Sequence, residues 1–385
     1  MTTFFWLQFA AIAYAYAGYP LLLRFLVVLV GRRPPAQVPS GQAWEQPTVT
    51  LIIPVHNEES VIGRKLDNLT ALLYPPAHLQ VLIVSDGSTD RTAEIVRSRN
   101  LPGVLLLELP ERGGKARALN HALRHSTGEL VCFSDASIML EPGALQALAA
   151  NFRDPHVGCA SGEDGIVGGG EGGERLYGMY ELGIRRLESR LCSIVGASGS
   201  FYAQRRVLCE DFPEGLAPDF LSVLNTVQRG FRAVSDPAAR GTMTSLSSSK
   251  AEFQRKVRTI LRGMATLFSR PRLLNPFRYG WFALELFSHK AMRWAVPFFM
   301  LLLLSSNLLL LQQPLYAALL VVQVAFYALA YLGWRGVPWA RNSLFGKIAV
   351  YFTVVNLATL VAWWRFAQGA RQEIWDPTRR ESPES

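Results

Sequence analysis

Cysteine is scarce in this chain of 385 residues. Cys132, Cys159, Cys192 and Cys209 stand apart, and no two form a C-x-x-C pair. That excludes a disulfide scaffold and a zinc ribbon, and scattered thiols in a domain facing the cytoplasm are expected to be reduced core residues. The Gly-x-x-x-x-Gly-Lys-Ser/Thr pattern is absent, which excludes a Walker phosphate loop. Charged residues make up only 18% of the chain, and Met1-Thr2-Thr3 holds no Lys or Arg. A signal peptide has a basic start and a short apolar core. Here the apolar run Phe4–Val30 is long, with only Gln8 and Arg24 against the pattern. An uncleaved membrane span with its amino end outside is expected. Basic and aromatic residues do not interleave as on a nucleic-acid surface, so the net charge of +9 is not assigned to a nucleic-acid partner.

What is abundant is apolar surface, 50% of residues, and it is unevenly spread. Besides Phe4–Val30, three runs follow the middle of the chain: Ala295–Leu311, Leu315–Gly333 and Leu344–Phe366. Each approaches the roughly 20 residues that cross a bilayer core. Arg32 and Arg33 border the first run, and Arg255, Lys256, Arg258, Arg262, Arg270 and Arg272 crowd the approach to the later ones. Basic flanks mark the cytoplasmic side and attract anionic headgroups, which makes the bilayer a partner. The expected organisation is a span at 1–31, a linker at 32–47, a soluble domain at 48–248, amphipathic interface helices at 249–294, about three spans at 295–368 and a polar tail at 369–385. With an outside amino end and four spans the tail lies outside, yet it carries Arg371, Arg379 and Arg380. Either one run is re-entrant or the charge rule fails here.

The middle of the chain alternates. Short apolar runs at Val49–Val55, Val81–Val84, Val104–Leu109 and Leu130–Ser134 suit strands buried on both faces. Helical patterns follow at Ser60–Leu73, after Arg91 to about Arg97, after Lys115 to Arg124, and at Pro142–Phe152. This is the pattern of an α/β, doubly wound, mostly parallel sheet. After Val157–Ser161 the alternation loosens: Gly162–Gly173 reads as a mobile loop, Glu174–Leu191 as an amphipathic helix, Ser193–Ala203 as strand and turn, and Pro218 opens another helix. Lys250–Phe268 is basic and amphipathic, as interfacial helices are.

In open α/β sheets, ligands bind beyond the carboxyl ends of the strands. Glu58, Asp86, Lys115 and Asp135 stand at four successive such ends. One Asp after a strand is ordinarily a turn or cap residue; four polar groups on one edge suit a nucleoside diphosphate. Carboxylates accept hydrogen bonds from base or ribose, a divalent cation takes oxygen ligands, and a lysine adds a point charge to phosphate. Tyr177, Tyr180, Glu181 and Arg185 share one helix face and are candidates for an acceptor groove.

In order, Pro54-x-x-Asn57-Glu58, Ser85-Asp86-Gly87-Ser88-Thr89-Asp90, Gly114-Lys115-Ala116-Arg117-Ala118-Leu119-Asn120, Phe133-Ser134-Asp135-Ala136-Ser137 and Pro218-Asp219 resemble the membrane-bound family 2 glycosyltransferases. The resemblance covers roughly residues 48–270. It implies a GT-A catalytic domain flanked by transmembrane helices, acting with inversion on a UDP-linked nucleotide sugar and a polysaccharide or lipid-linked glycan. It further implies a bacterial cytoplasmic membrane, a cytoplasmic catalytic face, and partner membrane proteins for export. By position, Glu58 and Asp86 would hold the nucleoside, Lys115 and Arg258 would lie near the diphosphate, and Asp135 would bind Mg2+ or Mn2+. Asp219 would be the general base, and Gly199 and Ser200 the acceptor-side loop.

The sequence departs from that family at three places. Ser137 fills the third D-x-D position, Pro218 replaces an acidic residue, and Gln254-Arg255-Lys256-Val257-Arg258 stands where processive synthases have Q-x-x-R-W. Two alternatives follow: a polyprenyl-phosphate monosaccharide transferase, or a catalytically weak nucleotide-binding subunit for membrane assembly.

Overall fold

The computed structural model describes residues 1–32, 45–167, 172–244 and 249–370. Most of the expected linker, part of the Gly-rich segment and the basic tail lie outside the described residues. One sheet organises the rest. Its strands are β1 (Val49–Val55), β2 (Leu79–Asp86), β3 (Val104–Leu109), β4 (Leu130–Ser134), β5 (Met139–Leu140), β6 (Val157–Val167), β7 (Phe201–Arg205) and β8 (Arg232–Thr244). Their spatial order is β3-β2-β1-β4-β7-β6-β8-β5.

Side chains alternate across a strand with period two. Leu51 and Ile53 of β1 therefore point to one core with Ile83 and Cys132, while Ile52 points to the other with Leu82 and Val131. Each face is covered by helices. The first core takes Ile62 and Leu66 of α2 (Glu59–Thr70). Between β2 and β3 runs α3 (Thr92–Arg99), and the second core takes Leu119 of α4 (Gly114–His125). Leu145 of α5 (Ala144–Ala150) joins the first core.

Strands β1 to β4 pair in parallel, as the alternation predicts. The far half of the sheet is mixed, since β7 runs antiparallel to both β4 and β6. Two segments differ from expectation. Gly162–Val167, read as the start of a loop, continues β6, because it pairs with β8 from Glu163 onward. The β8 strand itself was not anticipated: Asp236-Pro237 interrupts its apolar pattern, and Pro is an unusual strand residue.

Helix α6 (Gly172–Leu191) precedes β7, and α7 (Pro218–Gln228) and α8 (Ser249–Ser269) follow it. Among the described residues, four helices are long and apolar enough to cross a membrane: α1 (Thr2–Val30), α9 (Trp281–Leu309), α10 (Pro314–Trp334) and α11 (Leu344–Ala367). The chain is thus a membrane protein with an α/β domain between its first and second such helices. Helix α9 begins before the apolar run at Ala295, so the expected divide between interface helix and span falls inside one helix. Glu285, His289 and Arg293, each four residues apart, are all buried. Helix α6 supplies partners to His289 and Arg293 through Glu181 and Glu188, while Glu285 accepts the Ser193 N–H (3.4 Å).

Candidate active site

The site is built at the carboxyl edge of β1, β2 and β4. The turns after β1 and β2 are stitched together. Asn57, at φ 52, accepts the Thr89 N–H (2.8 Å), and Asp90 accepts the N–H groups of Glu59 (3.1 Å) and Thr92 (3.0 Å). Burial raises the Asp90 pKa, but the bonds from Thr92 outweigh it and hold the carboxyl below its usual range. Glu58 is pinned through its own N–H to the Thr92 hydroxyl (2.8 Å), and it lines the cleft described below.

Asp86 ends β2 but turns inward. It is 1% exposed, and its two oxygens accept the N–H groups of Gly113 (2.8 Å) and Gly114 (2.7 Å). Gly87, at φ +60, makes that contact possible, because a Cβ there would sit 2.5 Å from the Arg112 nitrogen. Asp86 thus holds the start of α4, which aims Lys115 at the end of β4. The Lys115 ammonium donates to Asp135 Oδ1 (2.6 Å) and to the Gly199 carbonyl (3.2 Å). The Asp135 N–H in turn donates to the Ser200 carbonyl (3.0 Å). Gly199 and Ser200 reach this point because β7 is antiparallel, so that its start lies beside the end of β4, with Ser134 opposite Phe201.

Asp219 lies in the first turn of α7. The cap residue of this helix is Ala217, and no side chain caps this end. The Asp219 carboxyl is 3.8 Å from where a Cβ on Gly199 would stand, so the glycine leaves room beside it. The preceding turn is anchored from α8, where Thr266 accepts the Ala217 N–H (2.9 Å) and Arg262 donates to the Leu216 carbonyl (2.6 Å).

A single cleft of about 610 Å³ joins these groups. Glu58, Lys115, Asp135 and Asp219 line it, as do Gly199, Ser200 and Arg258. Of the residues singled out from the sequence for donor, acceptor or base roles, Asp86 and Tyr180 lie outside its lining. Tyr177, Glu181 and Arg185 of α6 also line it. Tyr180 instead donates to the Tyr16 carbonyl (2.6 Å).

Two groups escaped the sequence reading. Asp164 lines the cleft and accepts the Ser198 hydroxyl at both oxygens (2.7 and 2.6 Å), and burial raises its pKa despite those bonds. It lay in a segment read as a loop. Lys65 of α2 has no exposed surface; it donates to Ser134 Oγ (2.9 Å) and the Ile138 carbonyl (2.6 Å), bracketing the turn that bears Asp135. A lysine within an amphipathic helix reads as solvated, and only the packing shows otherwise.

Among the described residues no three His, Cys, Asp or Glu side chains gather as a metal cage. At the D-x-D positions the cleft offers the Asp135 carboxylate and Ser137, both in its lining. That donor set fits a hard divalent cation shared with substrate phosphates, since Mg2+ is commonly held by one or two carboxylates plus phosphate oxygens.

Polar groups gathered at the carboxyl edge of an α/β sheet mark a ligand site. Residues 50–212 match the model of Glycosyl transferase family 2, so the chain carries a family 2 glycosyltransferase domain. It is 33% identical over 129 residues to "Probable glycosyltransferase YdaM" of Bacillus subtilis (strain 168), covering 32% of this chain and 31% of that one. It is 30% identical over 120 residues to poly-beta-1,6-N-acetyl-D-glucosamine synthase of Staphylococcus aureus (strain COL), covering 31% of this chain and 29% of that one. The chain thus spans about a third of the length of these curated relatives. The structure of the mannosyltransferase PcManGT from Pyrobaculum calidifontis, solved in complex with GDP-Man and Mn2+, shares its fold. It has a TM-score of 0.73 at 23% identity, covering 96% of this chain and 99% of that one.

Proposed function

We propose that this protein is an inverting glycosyltransferase. It moves a sugar from a UDP-linked donor to a hydroxyl of a polysaccharide or lipid-linked glycan, at the cytoplasmic face of a bacterial cell membrane. The observation that carries the reading is the single cleft shared by Asp135, Lys115 and Asp219. The nucleotide sugar and Mn2+ bound to the structural neighbour support a nucleotide-linked donor and a divalent ion, and the synthase relative supports a glycan acceptor.

In this mechanism Glu58 faces the nucleoside, Lys115 and Arg258 face the diphosphate, and Gly199 and Ser200 leave the acceptor room beside Asp219. Asp219 accepts the hydroxyl proton as the oxygen attacks from the face opposite the leaving group; such a base contributes roughly 10²–10⁴-fold. Asp135 and Ser137 would hold a divalent ion, which would supply charge neutralisation to the diphosphate. Asp86 acts one step back, by holding the turn that carries Lys115.

The test uses detergent-purified full-length protein and a panel of nucleotide sugars. Asp219→Asn is expected to lower transfer by roughly 10²–10⁴-fold, with nucleotide affinity unchanged within a few-fold. Undiminished turnover removes Asp219 as the base. Asp135→Ala is expected to abolish the dependence of donor binding on Mn2+ or Mg2+. Calorimetric titrations of the wild type that are identical with and without the ion refute the metal assignment.

A further inference from the structure

An arginine interrupts the first apolar helix. Arg24 lies roughly 9 Å before the end of α1 at Val30. Leu21, Phe25, Val28 and Leu29 around it are exposed apolar side chains. An ionised group inside such a span is costly, and it marks a functional position whose partner has to be named. No acidic residue of the chain answers it: among the described residues Arg24 makes neither an ion pair nor a hydrogen bond. Its side chain lines a second cavity, of about 350 Å³, between α1 and the face of α6 turned away from the cleft.

Arg186 and Arg190 of α6 also line this cavity, and Pro20, Met179, Ile184 and Leu187 give it apolar walls. Arg186 is already engaged: its Nε and Nη2 donate to the two oxygens of Glu163 (2.7 and 2.6 Å). Arg190 is exposed and, like Arg24, has no ion pair or side-chain hydrogen bond among the described residues. The helices that carry these two arginines are tied together at this end. The Arg32 N–H, just past α1, donates to the Arg190 carbonyl (2.7 Å). Two like charges are thus held at one cavity, and an anion between them removes their repulsion. Snorkelling to water would serve Arg24 alone. It gives no role to the cavity that Arg24 shares with Arg190.

We infer that the cavity between α1 and α6 binds an acidic phospholipid of the surrounding bilayer. Its phosphate sits between Arg24 and Arg190, and its acyl chains lie along Leu21, Phe25 and Val28 of α1. Planar guanidinium groups match phosphate oxygens. The occupant is a lipid because the cavity is bordered by the apolar surface of a helix long enough to span, where the anions at hand are headgroups. This lipid is not a substrate. The cavity and the cleft lie on opposite sides of α6, whose Tyr177, Glu181 and Arg185 face the cleft. The bound lipid braces α1 against the helix that forms the cleft wall.

The experiment measures lipid binding to the full-length protein in a neutral detergent by native mass spectrometry. The probes are phosphatidylglycerol and phosphatidylcholine, with inorganic phosphate as competitor. Wild type is expected to bind phosphatidylglycerol at least about tenfold more tightly than phosphatidylcholine, and excess inorganic phosphate to displace none of it. Arg24→Gln and Arg190→Gln are each expected to weaken phosphatidylglycerol binding about fivefold and to leave phosphatidylcholine binding as it was, while Arg24→Lys keeps the preference. Arg272, exposed and outside both cavity and cleft, is the control, and Arg272→Gln is expected to bind like wild type. Equal binding of the two lipids by wild type overturns the site, whatever the variants do. A loss in Arg272→Gln as large as in Arg24→Gln replaces the site with diffuse attraction to a basic surface. Displacement by inorganic phosphate overturns the lipid in favour of a soluble anion.

Discussion

Lys65 carries an ammonium group with no exposed surface and two neutral acceptors, Ser134 and Ile138. Burial pushes its pKa down to about 7, with the Asp135 carboxylate opposing that shift. In an unfolded chain lysine titrates near about 10.4. Between the two values the unfolded chain holds a proton that the folded chain lacks. The penalty for burying the charge is therefore fully present below about pH 7 and fades as pH rises, so stability increases with pH in that window. The thermal midpoint of wild type minus that of Lys65→Met is expected to rise between about pH 6 and about pH 9. A pH-independent difference would show that this lysine does not change charge on folding. Asp86 teaches a related lesson at this scale. Its place after an apolar strand reads as a ligand position, and the chain uses it to satisfy two glycine N–H groups. Those N–H groups are brought to it by residues 27 and 28 positions later, a distance over which sequence pattern carries no signal.

Among the elements, the turn after β2 and the antiparallel strand β7 do most to assemble the site. The turn requires Gly87: its φ of +60 and the 2.5 Å approach of the Arg112 nitrogen leave no room for a side chain. Gly143, with nothing within 4 Å of a built Cβ and an ordinary φ of −88, is the matched control. Gly87→Ala is expected to displace the 111–114 segment, lower the thermal midpoint and weaken nucleotide binding, while Gly143→Ala leaves both near wild type. Equal midpoints and affinities for the two variants would mean that this turn does not set the Lys115 position. The parallel half of the sheet was legible because its strands are short apolar runs bounded by turn residues. Strand β8 was not, because Asp236-Pro237 breaks the run and its pairing with β6 depends on a partner about 75 residues away.

At the scale of the whole molecule, α6 couples the sheet to the apolar helices. Glu188 of α6 has no exposed surface; it accepts the Tyr19 hydroxyl (2.7 Å) from α1 and bonds His289 Nδ1 (2.6 Å) of α9. About two turns earlier, on the cleft side, Glu181 bonds His289 Nε2 (2.9 Å) and pairs with Arg293. Burial alone would raise the Glu181 pKa, but Arg293 and His289 outweigh it and hold the carboxyl well below its usual range. Removing one partner of a buried charged set costs about 3–5 kcal/mol. Glu188→Leu is therefore expected to lower the thermal midpoint in detergent sharply, and to loosen α1 and α9 against the α/β domain. Glu210→Leu, which breaks an ion pair with Arg229 whose side chains are 38% and 44% exposed, is expected to change it little. Similar midpoints for the two would show that the α6 network does not hold the two parts together.

By itself the sequence determined the alternating α/β domain, the long apolar helices, and residues that line the cleft, Glu58, Lys115, Asp135 and Asp219 among them. Those features are written in near neighbours, as period-two runs, turn residues and long apolar stretches. Only the tertiary structure decided that Asp86 braces a turn, that β7 runs backwards and brings Gly199 to Lys115, that Asp164 and Lys65 belong to the site, and that Glu181 and Glu188 on α6 meet His289 and Arg293 on α9. Each of these depends on side chains or backbone brought together from distant parts of the chain, where geometry and the balance of buried charge select the partner and local pattern does not.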